Sequence, residues 1–233
     1  MFKLLCQDFV RSVLWASILP QHGFITFASG MNPGDLQQMS WALSHNGVRK
    51  PRGHVQNMAT YTNADCMACF TTAPNVVKVI SDVTSWSDVT SWADPSLRGK
   101  WRVSERGLGG DVCLAQTLTW QCLHSDWPQL HTMDRELGLP LACSVAPTDI
   151  GVEFGPIRAY SWQMLPDEKY YNGLPIADEI RELDPWGSRL EMFAGEALLR
   201  DVRVAHAGCP NLTYKDRVLP AFQIEGHGLR SNY

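Results

Sequence analysis

Almost every run of apolar periodicity in this chain is stopped by a glycine or a proline after a few turns, and that punctuation limits what it can fold into. Elements must be short, and the stretches between them irregular. Helix-like and strand-like segments interleave without the regular rhythm of a βαβ protein. The expectation is therefore an α+β fold, a single mixed domain over residues 1–233 with Pro/Gly-rich connections, and not a doubly wound parallel sheet.

The segments follow from spacing. Phe2, Leu5, Phe9, Val13 and Ala16 recur at helical intervals until Pro20, and Leu4, Val10, Leu14, Trp15 and Ile18 widen the apolar surface beyond one stripe. Gln7, Asp8 and Arg11 break that run too early for a secretory signal, so it is expected to be a structural helix. Phe24 to Ala28, between Gly23 and Gly30, predicts a strand. Asn32-Pro33 opens a helix carrying Leu36, Met39 and Leu43, which Asn46-Gly47 closes. Residues 48 to 64 keep neither period and are expected to be loop.

Val76 to Ile80 and the alternation from Val112 to Cys122 predict strands, the latter with a helix as the alternative. Pro128 to Leu137 predicts a helix, and Leu139 to Val145 and Ile157 to Met164 predict strands. Pro175 starts a short helix over Ile176, Ile180 and Leu183. Ser188 and Glu191 form a capping box for another, with Leu190, Phe193, Ala194, Ala197 and Leu198 on one face.

Charge narrows the function classes. Charged residues are 19% of the chain, against about 25% in soluble domains, and the net charge of −4 gives no global basic field for nucleic acid. A local contact would fall to Arg49, Lys50 and Arg52 in a small basic loop ending at His54. Only six of the 20 basic residues are Lys, and Arg, Trp and Met are well represented, which is the tilt of buried protein interfaces. No window approaches 18 uninterrupted apolar residues, so no membrane contact is expected. The seven cysteines, an odd number among apolar neighbours, suit reduced thiols in an intracellular, cytoplasmic or particle-associated setting. Asn211-Leu212-Thr213 is a formal glycosylation sequon, expected to be unused.

Chemistry-bearing motifs are incomplete. Cys66-Met67-Ala68-Cys69 has metal-like spacing but no second pair, so a zinc-stabilised binding module would have to recruit a residue such as His54. Gly107 to Asp111 lacks the Lys-Ser/Thr of a phosphate loop and is expected to be a turn. Cys113, beside Asp111 and a glycine-rich stretch, would serve a cysteine-dependent hydrolase only if folding delivered His206 or His227 to it. His124, His131 and Asp134 cluster around a predicted helix but supply too few ligands for a metal. No cofactor is expected.

The leading expectation is thus a non-enzymatic structural or assembly subunit, such as a capsid, coat or protrusion protein forming homo-oligomers. Its contacts would be Phe9 and Trp15 on the first helix, and Trp86 and Trp92 in the perfect repeat of Ser-Asp-Val-Thr-Ser-Trp over residues 81–92. The cysteine hydrolase and the zinc module are the alternatives.

Overall fold

The computed structural model describes residues 19, 22–46, 49–52, 54–57, 69, 73–84, 101–121, 123–124, 126, 141–161, 187–202 and 204–226. Ten strands and two helices lie within them. In chain order these are β1 (Phe24–Ala28), α1 (Pro33–Asn46), β2 (Arg49–Arg52), β3 (His54–Asn57), α2 (Pro74–Thr84), β4 (Trp101–Cys113) and β5 (Leu141–Val145). Then come β6 (Ile157–Ala159), β7 (Ser188–Leu190), β8 (Glu196–Asp201), β9 (His206–Gly208) and β10 (Arg217–Gly226).

Every strand pairing is antiparallel. The strands form a five-stranded sheet in the order β1-β8-β5-β10-β4, a three-stranded sheet β7-β6-β9, and the hairpin β2-β3. The fold is strand-rich and jelly-roll-like, which is compatible with the expected α+β class but carries fewer helices.

Side-chain alternation sorts the five-stranded sheet into two faces. Its outer face presents Ile25, Phe27, Leu199, Leu141, Cys143, Val145, Phe222, Ile224 and Val112, which form one core with Leu36, Met39 and Leu43 of α1 and Val76, Val79 and Ile80 of α2. Its inner face contributes Leu198 and Leu219, which pack with Ile157, Ile150, Met192 and Ala146 beneath the three-stranded sheet. The layers are helices, large sheet and small sheet. A polar inner row, Arg200 of β8 and Gln223 of β10 on either side of Ala142 of β5, lies between the two sheets.

The first well-marked helix forms as its caps dictate. Asn32 Oδ1 accepts the Gly34 amide at 2.8 Å, Pro33 spends no amide at the first position, and Asp35 meets the positive end of the helix. At Gly110 of β4 the helix comes so close that an added Cβ would lie 2.5 Å from Leu43 Cδ2 and 2.4 Å from the Leu219 carbonyl oxygen. Glycine is required there by space.

Several expectations change. Residues 76–80 are helical: Val76, Val79 and Ile80 are all fully buried, which is a period of three and four and not of two. Pro74 starts that helix, and Lys78 holds Asp82 at 2.8 Å across one turn. The capped helix expected from Ser188 is instead β7, a turn and β8. Gly195 sits at φ +84° inside the would-be helix, and the Glu196 carboxylate accepts the Phe193 amide at 2.7 Å in the turn.

Residues 48 to 64 hold the β2–β3 hairpin, and Gly107 to Asp111 lies within β4 and forms no turn. The strand expected over 112–122 ends at Cys113. β1, the Pro33 helix and β5 stand as read. The first helix, the helices over 128–137 and 176–183, and the 85–92 part of the repeat fall outside the described residues. Among the described residues no helix is long and apolar enough to cross a membrane.

Gly110→Ala is expected to lower stability by about 1–3 kcal/mol, since neither backbone nor a packed leucine yields cheaply. Urea unfolding should show a lower midpoint with an unchanged slope. An unchanged midpoint would show that α1 and β4 do not meet at this position.

Candidate metal centre

Two segments about eighty residues apart are tied by backbone bonds. The His124 amide donates to the His206 carbonyl at 3.0 Å, and the His206 amide returns a bond to the His124 carbonyl at 2.9 Å. Residues paired in this way project to the same face, so the two imidazoles stand together with ring centroids 4.4 Å apart. Two residues beyond His124, the Asp126 amide donates to the Val202 carbonyl at 3.0 Å. That bond brings its carboxylate back over the histidines. Asp126 Oδ1 lies 3.8 Å from His124 Nε2 and 3.6 Å from His206 Nε2, and one ligand atom from each of the three residues lies within 4.8 Å of the others.

The surroundings set the protonation of this group. His206 is buried, and its Nδ1 is 2.9 Å from the Val204 carbonyl. A carbonyl only accepts, so Nδ1 carries the proton and the Nε2 lone pair faces Asp126. Burial, together with the Arg200 and His124 charges, holds the His206 pKa well below the usual histidine value. The ring is neutral near pH 7. Burial works against ionising Asp126, but Arg200, His206 and His124 outweigh it and hold the carboxyl far below the usual range. Arg200 Nη2 grips the other carboxylate oxygen, Oδ2, at 2.5 Å. Asp126 is thus an anion with one oxygen pinned and the other turned to the histidines.

The expected catalytic pair is not assembled. The Cys113 thiol, at the end of β4, is buried and donates to the Cys209 carbonyl at 3.9 Å. Burial pushes its pKa up to about 11 despite the nearby Arg217 charge, the opposite of what a nucleophilic thiol needs. His206 serves the His124–Asp126 cluster instead. The cysteine-hydrolase alternative is corrected on that ground.

Cys69 is half-buried and packs against the helical core, His54 lies in β3, and Arg49, Lys50 and Arg52 lie in β2. Cys66, His131, Asp134, His227, Phe9, Trp15, Trp86 and Trp92 lie outside the described residues. Asn211 of the sequon is fully buried, with its amide nitrogen donating to the Cys113 and Lys215 carbonyls, so the folded chain offers no glycan acceptor there.

The chain matches no protein-family model and no curated protein. Solved structures share its fold. The non-heme monooxygenase ThoJ in its apo form has a TM-score of 0.63 at 14% identity over 91% of this chain and 77% of its own. The non-heme alpha ketoglutarate dependent epimerase SnoN from nogalamycin biosynthesis scores 0.63 at 16% identity over 94% and 84%. HygX from Streptomyces hygroscopicus, with nickel, 2-oxoglutarate and hygromycin B bound, scores 0.58 at 16% identity over 90% and 85%.

At these identities the likeness is one of fold. It nevertheless overturns the expectation of a non-enzymatic capsid, coat or protrusion subunit. The structures this chain resembles are enzymes, and the described residues hold a His-Asp-His cluster that could hold a metal ion.

The sequence reading missed Asp126 and Arg200. A signal for Asp126 was present: in His124-Ser125-Asp126 the first and third side chains share a side of an extended chain. Nothing in the sequence marked Arg200.

If the Cys113 thiol ionises only near pH 11, iodoacetamide at pH 8 should leave it unmodified in the native protein and alkylate it once urea unfolds the chain. Peptide mass mapping reads both. Rapid native labelling at pH 8 would restore the nucleophile reading.

Proposed function

We propose that the chain is a non-heme metal enzyme in which His124, Asp126 and His206 hold Fe(II) and a 2-oxo acid serves as co-substrate for oxidising an organic substrate. The observation that carries this reading is the cluster itself. Two imidazoles and one carboxylate are the donor set of the 2-His-1-carboxylate site, which suits ferrous iron and leaves positions open.

The donors fit one ion. Two metal–ligand bonds of about 2.0–2.2 Å each accommodate the 3.6 and 3.8 Å separations at once, and a small side-chain rotation brings in the widest pair. Iron so held supplies the one-electron and oxygen chemistry that no side chain here can perform. The 2-oxo acid is supported by SnoN, which is alpha ketoglutarate dependent, and by HygX, which has 2-oxoglutarate bound.

The chain's own residues do the positioning. The Val204 carbonyl fixes the His206 tautomer and ring plane, as outer-shell acceptors do for ligating imidazoles. Arg200 occupies Asp126 Oδ2, so Asp126 offers the metal a single oxygen. The His124–His206 backbone pair sets the spacing of the two rings. Leu198, Leu219, Ile157 and Met192 make an apolar wall between the sheets that excludes water from part of the interior.

Purified under argon, the protein should bind about one equivalent of Fe(II) or Ni(II) by calorimetry. His206→Ala and Asp126→Ala should each weaken binding beyond the roughly 10- to 100-fold typical of losing an outer partner. With Fe(II) and oxygen, wild type should release succinate from 2-oxoglutarate, and His124→Ala should not. A wild-type chain that binds neither ion, or variants that bind as wild type does, would refute the reading.

A further inference from the structure

Five large apolar side chains stay exposed at one end of the paired sheets: Leu118, Val152, Phe193, Leu212 and Tyr214, with Leu118 74% and Tyr214 85% exposed. Backbone bonds hold their loops side by side. The Leu212 amide donates to the Glu153 carbonyl at 2.8 Å, the Asn211 amide to the Thr117 carbonyl at 2.9 Å and the Gln116 amide to the Thr213 carbonyl at 2.9 Å, while Ile150 and Met192 exchange amide bonds in both directions. Segments paired in this way lie about 5 Å apart, so the five side chains make one surface. It lies at the end where β4 stops and β10 starts, whereas the His-Asp-His cluster lies at the other end, where β8 passes into β9.

This surface is braced before anything meets it. Asn211 is fully buried, and its Nδ2 donates to the Cys113 and Lys215 carbonyls at 3.1 and 2.8 Å, while its Oδ1 accepts from the Thr213 amide at 3.1 Å and the Thr213 hydroxyl at 2.8 Å. A preorganised surface loses little ordering entropy on contact, and an exposed apolar patch with a polar rim marks an interaction site. The rim says with what. Asp149 and Asp216 are spent inside the loops, accepting the Ala194 and Ala115 amides at 2.8 Å each. Glu153 and Lys215 are exposed and form no ion pair among the described residues. Glu153 lies beside Leu212, and Lys215 follows Tyr214. One charge of each sign, flanking an apolar centre, is complementary to itself under a two-fold rotation. An anionic lipid surface would call for cations alone.

We propose that this end is a self-association face, on which two copies of the chain meet about a two-fold axis near Leu212. Leu118 and Tyr214 of each copy pack at the centre, and Glu153 of each copy faces Lys215 of the other. The area agrees with that occupant. A standard interface covers about 800 Å² per partner, about two-thirds of it apolar in homodimers. Five large side chains, two of them aromatic, offer a patch on the order of 500 Å². The two His-Asp-His clusters then lie at the far ends of the pair, and the contact leaves them untouched.

The test is sedimentation equilibrium of the full chain across micromolar concentrations at low salt. Wild type should dimerise, and Leu118→Ser or Tyr214→Ser should weaken the dimer by about tenfold or more, with far-UV circular dichroism unchanged because both side chains are exposed. Glu153→Lys or Lys215→Glu alone should weaken it about tenfold by setting like charges face to face. Mixed one to one, those two charge variants should associate as wild type does, since every facing pair in the mixed dimer then joins opposite signs. That recovery separates a two-fold contact at this face from a folding defect and from association elsewhere. A wild-type chain that stays monomeric throughout overturns the proposal and leaves the patch to a different partner. Charge variants that dimerise as wild type does, or whose mixture associates no better than either alone, also overturn it.

Discussion

The reciprocal backbone bonds between His124 and His206 are what the rest of the site depends on. They join a segment following β4 to the strand β9, and they set two imidazoles side by side before any metal is considered. Asp126 joins them through a backbone bond of its own, to Val202, so its approach is also fixed by the main chain. A cluster built on peptide hydrogen bonds is preorganised: little rearrangement is needed to bring three donors onto one ion. The three-stranded sheet carries β9, and the five-stranded sheet carries β8 with Arg200. The centre therefore sits where the two sheets meet.

Two buried arginines on the inner face of the large sheet pair with carboxylates, and the two pairs are satisfied to different degrees. In the Asp111–Arg217 pair the guanidinium keeps three bonds inside the chain, while Asp111 Oδ1 is buried without a partner. Asp126–Arg200 is half closed: the carboxylate is satisfied, but part of the guanidinium is not. Buried polar groups are ordinarily paired because water is no longer there to serve them. The same logic explains Cys113, whose thiol is buried beside Arg217 yet held neutral by desolvation.

Legibility in the sequence tracked how local the deciding interaction was. The Pro33 helix was readable from Asn32, Pro33 and the spacing of Leu36, Met39 and Leu43, because its caps are near in sequence. The Ser188 segment was misread although its apolar spacing was good. Gly195 and the pairing of β8 with β1 and β5 outweighed the capping box, since a strand covered on both faces buries consecutive residues such as Leu198 and Leu199. Val76 to Ile80 failed in the other direction: β-branched residues favour strands in general, but here packing against the outer face selected a helix.

The sequence by itself determined short, punctuated elements, the absence of a global basic field, and the outward apolar sets of β1, β5 and the Pro33 helix. Periodicity and caps act within a few residues and survive in any tertiary setting. Only the tertiary structure decided the chemistry. It moved His206 away from Cys113 and onto His124 and Asp126, gave Asp126 to Arg200, and set Arg200 and Gln223 in one row across three strands. Each of those contacts joins residues tens of positions apart through sheet register, and register depends on how whole strands pair. No local pattern in the chain encodes it.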